Sequence, residues 1–225
     1  IGYMIFTNEN KKRYMDMLMY CQGFWSESAV VNAVTCMCIA RTLGQSEGLN
    51  ALESEQIYYG SMLHDLGMVA VPREIVNAPR MLTAEEYKKV KMHVHLGERL
   101  LHNRMAGEVV EIVAAHHERC DGSGYPRGLR EVQLSTKQQI LQLADAITAL
   151  LDKRSYRPAF DEDEMLYIIK KETAAGKYNK NLVKTFFDHY DEIMQRVKTN
   201  VEEILATYRR LNQQYLRVSG KLKEQ

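Results

Sequence analysis

Proline is scarce in this chain, four in 225 residues, and tryptophan occurs once. Few runs alternate β-branched with polar residues, and the two shortages together favour helices over strands. A charge of one sign is also missing. Lys and Arg number 30 against 29 Asp and Glu, a net charge of +1, which argues against a protein that coats nucleic acid. It leaves room for a small anion in a local basic pocket. The four cysteines, Cys21, Cys36, Cys38 and Cys120, form no CxxC pair and no disulfide-like spacing, so they read as reduced thiols of a cytoplasmic protein. The longest apolar run, residues 29–40, is broken by Asn32 and Thr35 and is too short to cross a bilayer. The chain begins at Ile1 and stops inside a helical pattern. It therefore reads as a piece of a longer protein, in which other segments would carry an anchor, a sensor or an output domain.

What is present is helical periodicity almost throughout. Segments 8–20, 29–43, 55–66 and 106–119 carry apolar residues at helical spacing, as do 135–153, 161–172 and 181–222. Thr83 followed by Glu86 is a capping box that starts another helix running past His93. Residues 46–54 read as a polar loop and 69–80, with Pro72 and Pro79, as an extended connector. Residues 120–134, with three glycines and a proline, read as an ordered loop. The expected fold is all-α. In the last segment, Tyr190, Met194, Val197, Val201, Ile204, Tyr208, Leu211, Tyr215, Val218 and Leu222 recur in alternating steps of four and three. That heptad stripe predicts either a coiled coil or helical linker, or a long helix folded back on its own domain.

Seven histidines carry the chemistry. His64-Asp65 closes one helix. His116-His117 is followed by Glu118, and on a continuous helix two adjacent histidines point about 100° apart, suited to two neighbouring ions rather than one. With His93 and Asp145 these residues form a mixed imidazole and carboxylate set that suits Fe, Mn or Zn, and a carboxylate such as Asp65 is able to bridge two ions. Directly after the paired histidines, the glycines of Asp121-Gly122-Ser123-Gly124-Tyr125-Pro126-Arg127-Gly128-Leu129 let backbone N–H groups approach an anion closely. Tyr125 offers a ring face or a hydroxyl. His95 reads as a surface residue or one supporting the ligands from behind, His102 and His189 as solvated, and the methionines as core filler.

The run from His116 to Leu129 closely resembles the signature of HD-GYP domains, a branch of the HD phosphohydrolase superfamily that degrades the bacterial messenger cyclic di-GMP. Leu63-His64-Asp65-Leu66-Gly67 resembles their HD motif, His93-Val94-His95-Leu96-Gly97 the next ligand helix, and Asp145 with Arg154-Ser155-Tyr156-Arg157 the closing aspartate helix. The resemblance implies an HD-superfamily helical bundle over residues 23–187, with a helical lead-in over 1–22 and the long heptad-patterned helix over 188–225. It implies ligation of a pair of divalent metal ions, Fe, Mn or Zn, by His64, Asp65, His93, His116, His117 and Asp145. Asp65 and His64 would be catalytic, with hydroxide attacking phosphorus in line. Gly124, Tyr125, Pro126 and Arg127 would lie beside the cyclic di-GMP substrate, and Arg154 and Arg157 would contact its phosphates. A homodimer through the C-terminal helix is the expected assembly. Three positions depart from the family pattern. The upstream histidine is Ser28 or Asn32 depending on alignment, the lysine after the HD motif is Met68, and the acid three residues beyond Asp145 is Thr148. The expected activity is a metal-dependent phosphodiesterase, reduced by those departures. The alternative is a signalling module that keeps a metal or nucleotide pocket without turnover.

Overall fold

Helix α1 (Glu27–Ser46) has almost no polar face over its middle turns. Val30, Val34, Cys36, Ile39, Ala40 and Leu43 are buried, which marks a helix enclosed on all sides. The computed structural model describes residues 27–152 and 161–223. The expected lead-in at 8–20, and with it Cys21, lies outside them, as do Arg154 and Arg157. Around α1 stand α2 (Ala51–Leu63) and α6 (Thr136–Leu151), with α9 (Tyr190–Lys223) packed along it. The remaining helices are α3 (Arg73–Val76), α4 (Ala84–Leu101), α5 (Gly107–Ala114), α7 (Glu162–Ala174) and α8 (Lys180–Asp188), with 3-10 turns at Leu66–Ala70 and Glu131–Gln133. No strand forms among the described residues beyond one isolated bridge, Asp121 to Arg130. The all-α bundle is as expected.

Helix starts follow side-chain caps. Asn50 with Glu53, Thr83 with Glu86, Ser135 with Gln138 and Asp161 with Glu164 each form a reciprocal capping box. Such a cap is worth about 1 kcal/mol. The first of these begins α2 at Ala51, inside the stretch that reads as a loop in sequence. The connector after the HD motif is likewise not fully extended, since it holds a 3-10 turn and one turn of α-helix.

One difference bears on the site. The helix expected over 106–119 ends at Ala114, and the Ala115 N–H turns back to Ile112 O and Val113 O at a non-helical φ/ψ of −116/3. His116 and His117 therefore follow a helix rather than sit on one, and the 100° divergence does not apply. The stripe on α9 is used within this chain at least as far as Tyr208: Tyr190, Met194, Val197, Val201, Ile204 and Tyr208 all pack on the main core. Cys36, Cys38 and Cys120 are free thiols, all buried. No described helix is long and apolar enough to cross a membrane.

Candidate metal centre

Four chain segments converge on one point. His64 is the C-cap of α2, with Asp65 beginning the following 3-10 turn. His93 comes from the middle of α4, His116 and His117 from the turn after α5, and Asp145 from the middle of α6. Gly67 lets α4 come close. A Cβ there would overlap the carbonyl oxygen of His93 and stand 2.6 Å from the Gly97 nitrogen, so any side chain would force α4 away.

Three imidazoles are oriented the same way. Nδ1 of His64 lies 2.7 Å from Ser61 O, that of His93 2.6 Å from Val90 O, and that of His116 2.6 Å from Val113 O. A carbonyl oxygen only accepts, so each Nδ1 carries the proton and each Nε2 presents a lone pair to the centre. Burial lowers the pKa of His93, with Asp65 opposing and His117 adding to the shift. Burial, then the neighbouring His117, His64 and His93, holds His116 well below the ordinary imidazole value. Neutral imidazole is the ligand form.

Asp65 joins the group through both oxygens. Oδ1 stands 3.3 Å from His93 Nε2 and 4.0 Å from His116 Nε2, while Oδ2 stands 3.5 Å from His64 Nε2. Asp145 reaches His64 Nε2 at 3.6 Å and His117 Nδ1 at 3.3 Å. Burial works to raise the Asp145 carboxyl; the hydrogen bond from His117 and the nearness of the His117, His64 and His116 imidazoles override it and hold the group well below the usual carboxylate range. The structure thus brings together all six residues singled out as ligands.

The donor set fits a divalent cation. One ligand atom each from Asp65, His93, His116 and His117 falls within 4.8 Å of the others. His93 Nε2 and His116 Nε2 face each other at 3.1 Å, and with both Nδ1 atoms protonated two lone pairs oppose one another there. A shared cation resolves that opposition, since two metal–nitrogen bonds of about 2.1 Å at a right angle set the nitrogens about 3 Å apart.

The loop after the histidines forms one rim. Tyr125 N donates to His117 O at 3.1 Å, and its ring lies 4.7 Å from the His117 ring between centroids. Burial, then Tyr87, Asp145 and Asp65, pushes the Tyr125 phenol well above its ordinary pKa. Gly124 is forced, because a Cβ would stand 2.5 Å from the Glu118 carbonyl carbon. Tyr125-Pro126 is a cis peptide. The Arg127 guanidinium turns to Glu111, at 3.1 and 3.2 Å, rather than into the cluster.

Glu118 holds this loop together, a role sequence reasoning did not assign. Fully buried, its carboxylate accepts from Arg127 N at 2.7 Å and Leu129 N at 2.8 Å. Only its adjacency to the histidines hinted at that. Among the departing positions, Ser28 is exposed and 3.5 Å from Asp152, Asn32 buries a side-chain oxygen with no hydrogen-bond partner among the described residues, and Thr148 donates to Ala144 O. His95, His102 and His189 lie on the surface, His95 and His189 beside Glu98 and Glu192.

A helical bundle that gathers histidines and aspartates in this order defines an HD-type cluster able to hold a metal ion. The family model described as HD domain matches residues 17–182, and the chain belongs to that family. It is 33% identical over 168 residues to the 3'3'-cGAMP-specific phosphodiesterase 2 of Vibrio cholerae, covering 72% of this chain and 31% of that protein. It is 31% identical over 166 residues to a cyclic di-GMP phosphodiesterase of Thermotoga maritima, covering 72% and 44%. The chain thus spans less than half the length of these curated relatives. In fold it is similar to the HDG"Y"P protein Bd1817 of Bdellovibrio bacteriovorus, with a TM-score of 0.62 at 20% identity over 73% of this chain and 53% of that one.

Proposed function

We propose that this chain is the hydrolytic unit of a metal-dependent phosphodiesterase acting on cyclic di-GMP in bacterial signalling, with two divalent cations, Fe, Mn or Zn, at its centre. The observation that carries the reading is the placement of Asp65, whose two oxygens face different imidazoles: one His93 and His116, the other His64. That is the disposition of a bridging carboxylate. His93, His116 and His117 would serve one side of it, His64 and Asp145 the other. Cations held here supply Lewis acidity to a phosphoryl oxygen and acidify water near neutral pH.

The chain's own residues do the rest. Asp65 and His64 form the catalytic core, and the carbonyl-anchored imidazoles keep their lone pairs inward. Tyr125, lying on His117, with Gly124 and Pro126, walls the side on which the nucleotide would rest. Arg127 joins them only by leaving Glu111. Arg154 and Arg157 are the forked cations for the nucleotide's phosphates. Sensor or output domains and a homodimer contact would attach through the end of α9, where the heptad pattern continues at Leu211, Tyr215, Val218 and Leu222.

A second reading, a module that binds metal or nucleotide without turnover, is favoured by Met68, which offers no charge to phosphate, and by Ser28, which pairs with Asp152. One experiment separates the two. Anaerobically purified protein is analysed for metal and assayed with Mn²⁺ or Fe²⁺ on cyclic di-GMP, with 3'3'-cGAMP in parallel. The expected outcome is about two ions per chain and formation of linear dinucleotide or GMP, slowed by roughly 10²-fold or more for the lost lysine. Metal-loaded protein that binds the nucleotide and never cleaves it establishes the second reading.

A further inference from the structure

Lys91 stands on α4 two residues before His93, half-buried, whereas Lys88 and Lys89 on the same helix are exposed. Its ammonium lies 4.9 Å from the Tyr87 ring centroid and 4.8 Å from the Tyr125 centroid. Tyr125 lies in turn against His117, so the ammonium is one ring removed from the metal-facing cluster. Among the described residues no carboxylate pairs with it: on α4, Glu86 is taken by Arg80 and Glu98 lies beside His95.

Two ring faces hold an ammonium by their quadrupoles without neutralising it. Lys91 is therefore a placed, uncompensated positive charge at the lip of a centre whose own acids, Asp65 and Asp145, face inward to imidazoles. Its N–H groups need an acceptor, and the acceptor such a lip meets is an anion approaching the centre. The Met68 position, directly after the HD motif, supplies no such charge.

We propose that Lys91 binds the phosphodiester of the ligand at the lip of the centre, its ammonium donating to a non-bridging phosphate oxygen while Tyr87 and Tyr125 hold it in place. The assignment rests on the cyclic-dinucleotide reading above and adds to it a residue that the motif does not contain.

The test uses the full, metal-loaded chain as wild type, Lys91→Gln, Lys91→Arg and Lys89→Gln. Titration calorimetry measures binding of cyclic di-GMP and of bis(p-nitrophenyl) phosphate, a diester without a base, and metal content is a second readout. Lys91→Gln is expected to weaken both ligands by roughly tenfold or more with metal content unchanged. Lys91→Arg should stay within about threefold of wild type, since it keeps the charge, and Lys89→Gln should match wild type. Equal binding by Lys91→Gln overturns the proposal, and so does loss of metal, which would make the role structural. A loss confined to the dinucleotide would put Lys91 on a base instead. Wild type that binds the diester but no cyclic dinucleotide sinks the substrate reading while the diester still decides Lys91; wild type that binds neither sinks both.

Discussion

The centre and its rim are built by opposite means. In the centre, His64, His93 and His116 are each pinned by a backbone carbonyl three residues earlier and are almost wholly buried, so position and protonation are fixed before any ligand arrives. At the rim, Tyr125, Lys91 and Arg127 are held by ring contacts and a part-exposed ion pair. Metal ligation tolerates little displacement, whereas a nucleotide has to enter and leave. The contrast suggests that burial, rather than membership of the sequence motif, sets how much each residue matters.

Substitutions rank that contrast. The largest effect is expected for His116→Ala, which removes a fully buried imidazole of the proposed centre: metal affinity should fall by at least roughly 10- to 100-fold, the loss usual for even an outer partner, and turnover with it. Metal analysis after dialysis reads this directly, and a variant that keeps its metal would mean the centre is assigned to the wrong atoms. Glu118→Ala comes next. It leaves the N–H groups of Arg127 and Leu129 without their acceptor, at about 1–3 kcal/mol each, so a lowered Tm is expected with the metal retained. An unchanged Tm would show that the rim does not depend on its one buried carboxylate. Smallest is Arg127→Ala. Its pair with Glu111 is part-exposed at both ends, 41% and 56%, and such pairs contribute about 0–1 kcal/mol. Thermal unfolding should barely change, and a marked loss of stability would erase the distinction between centre and rim.

Much of this was legible in the chain. The Thr83 and Glu86 box begins α4 where the pattern places it, and the six residues singled out as ligands converge. The geometry of His116 and His117 was not legible, because nothing at Ala115 signals a stop: no glycine or proline lies between Ala115 and Gly122, and the helix ends where the Ala115 N–H turns back to Ile112 O and Val113 O. Asn50 and Glu53 did carry a start signal, hidden in a run that is otherwise polar. The α9 stripe was legible as a pattern but not as a partner, since a seam against α1 and a seam against another chain ask for the same residues at the same spacing. Beyond its adjacency to the histidines, nothing pointed to Glu118, because its two donors lie nine and eleven residues further on.

The missing side chain at Gly67 has one more consequence. His93 is located by the contact of one main chain with another, and no rotamer lies between the HD turn and α4 to absorb an error. The distance between the two is a zero-clearance fit. A fraction of an ångström gained there passes undiminished to the nitrogen that faces His116, so the alignment of the pocket is governed by a spacer that has no atoms of its own.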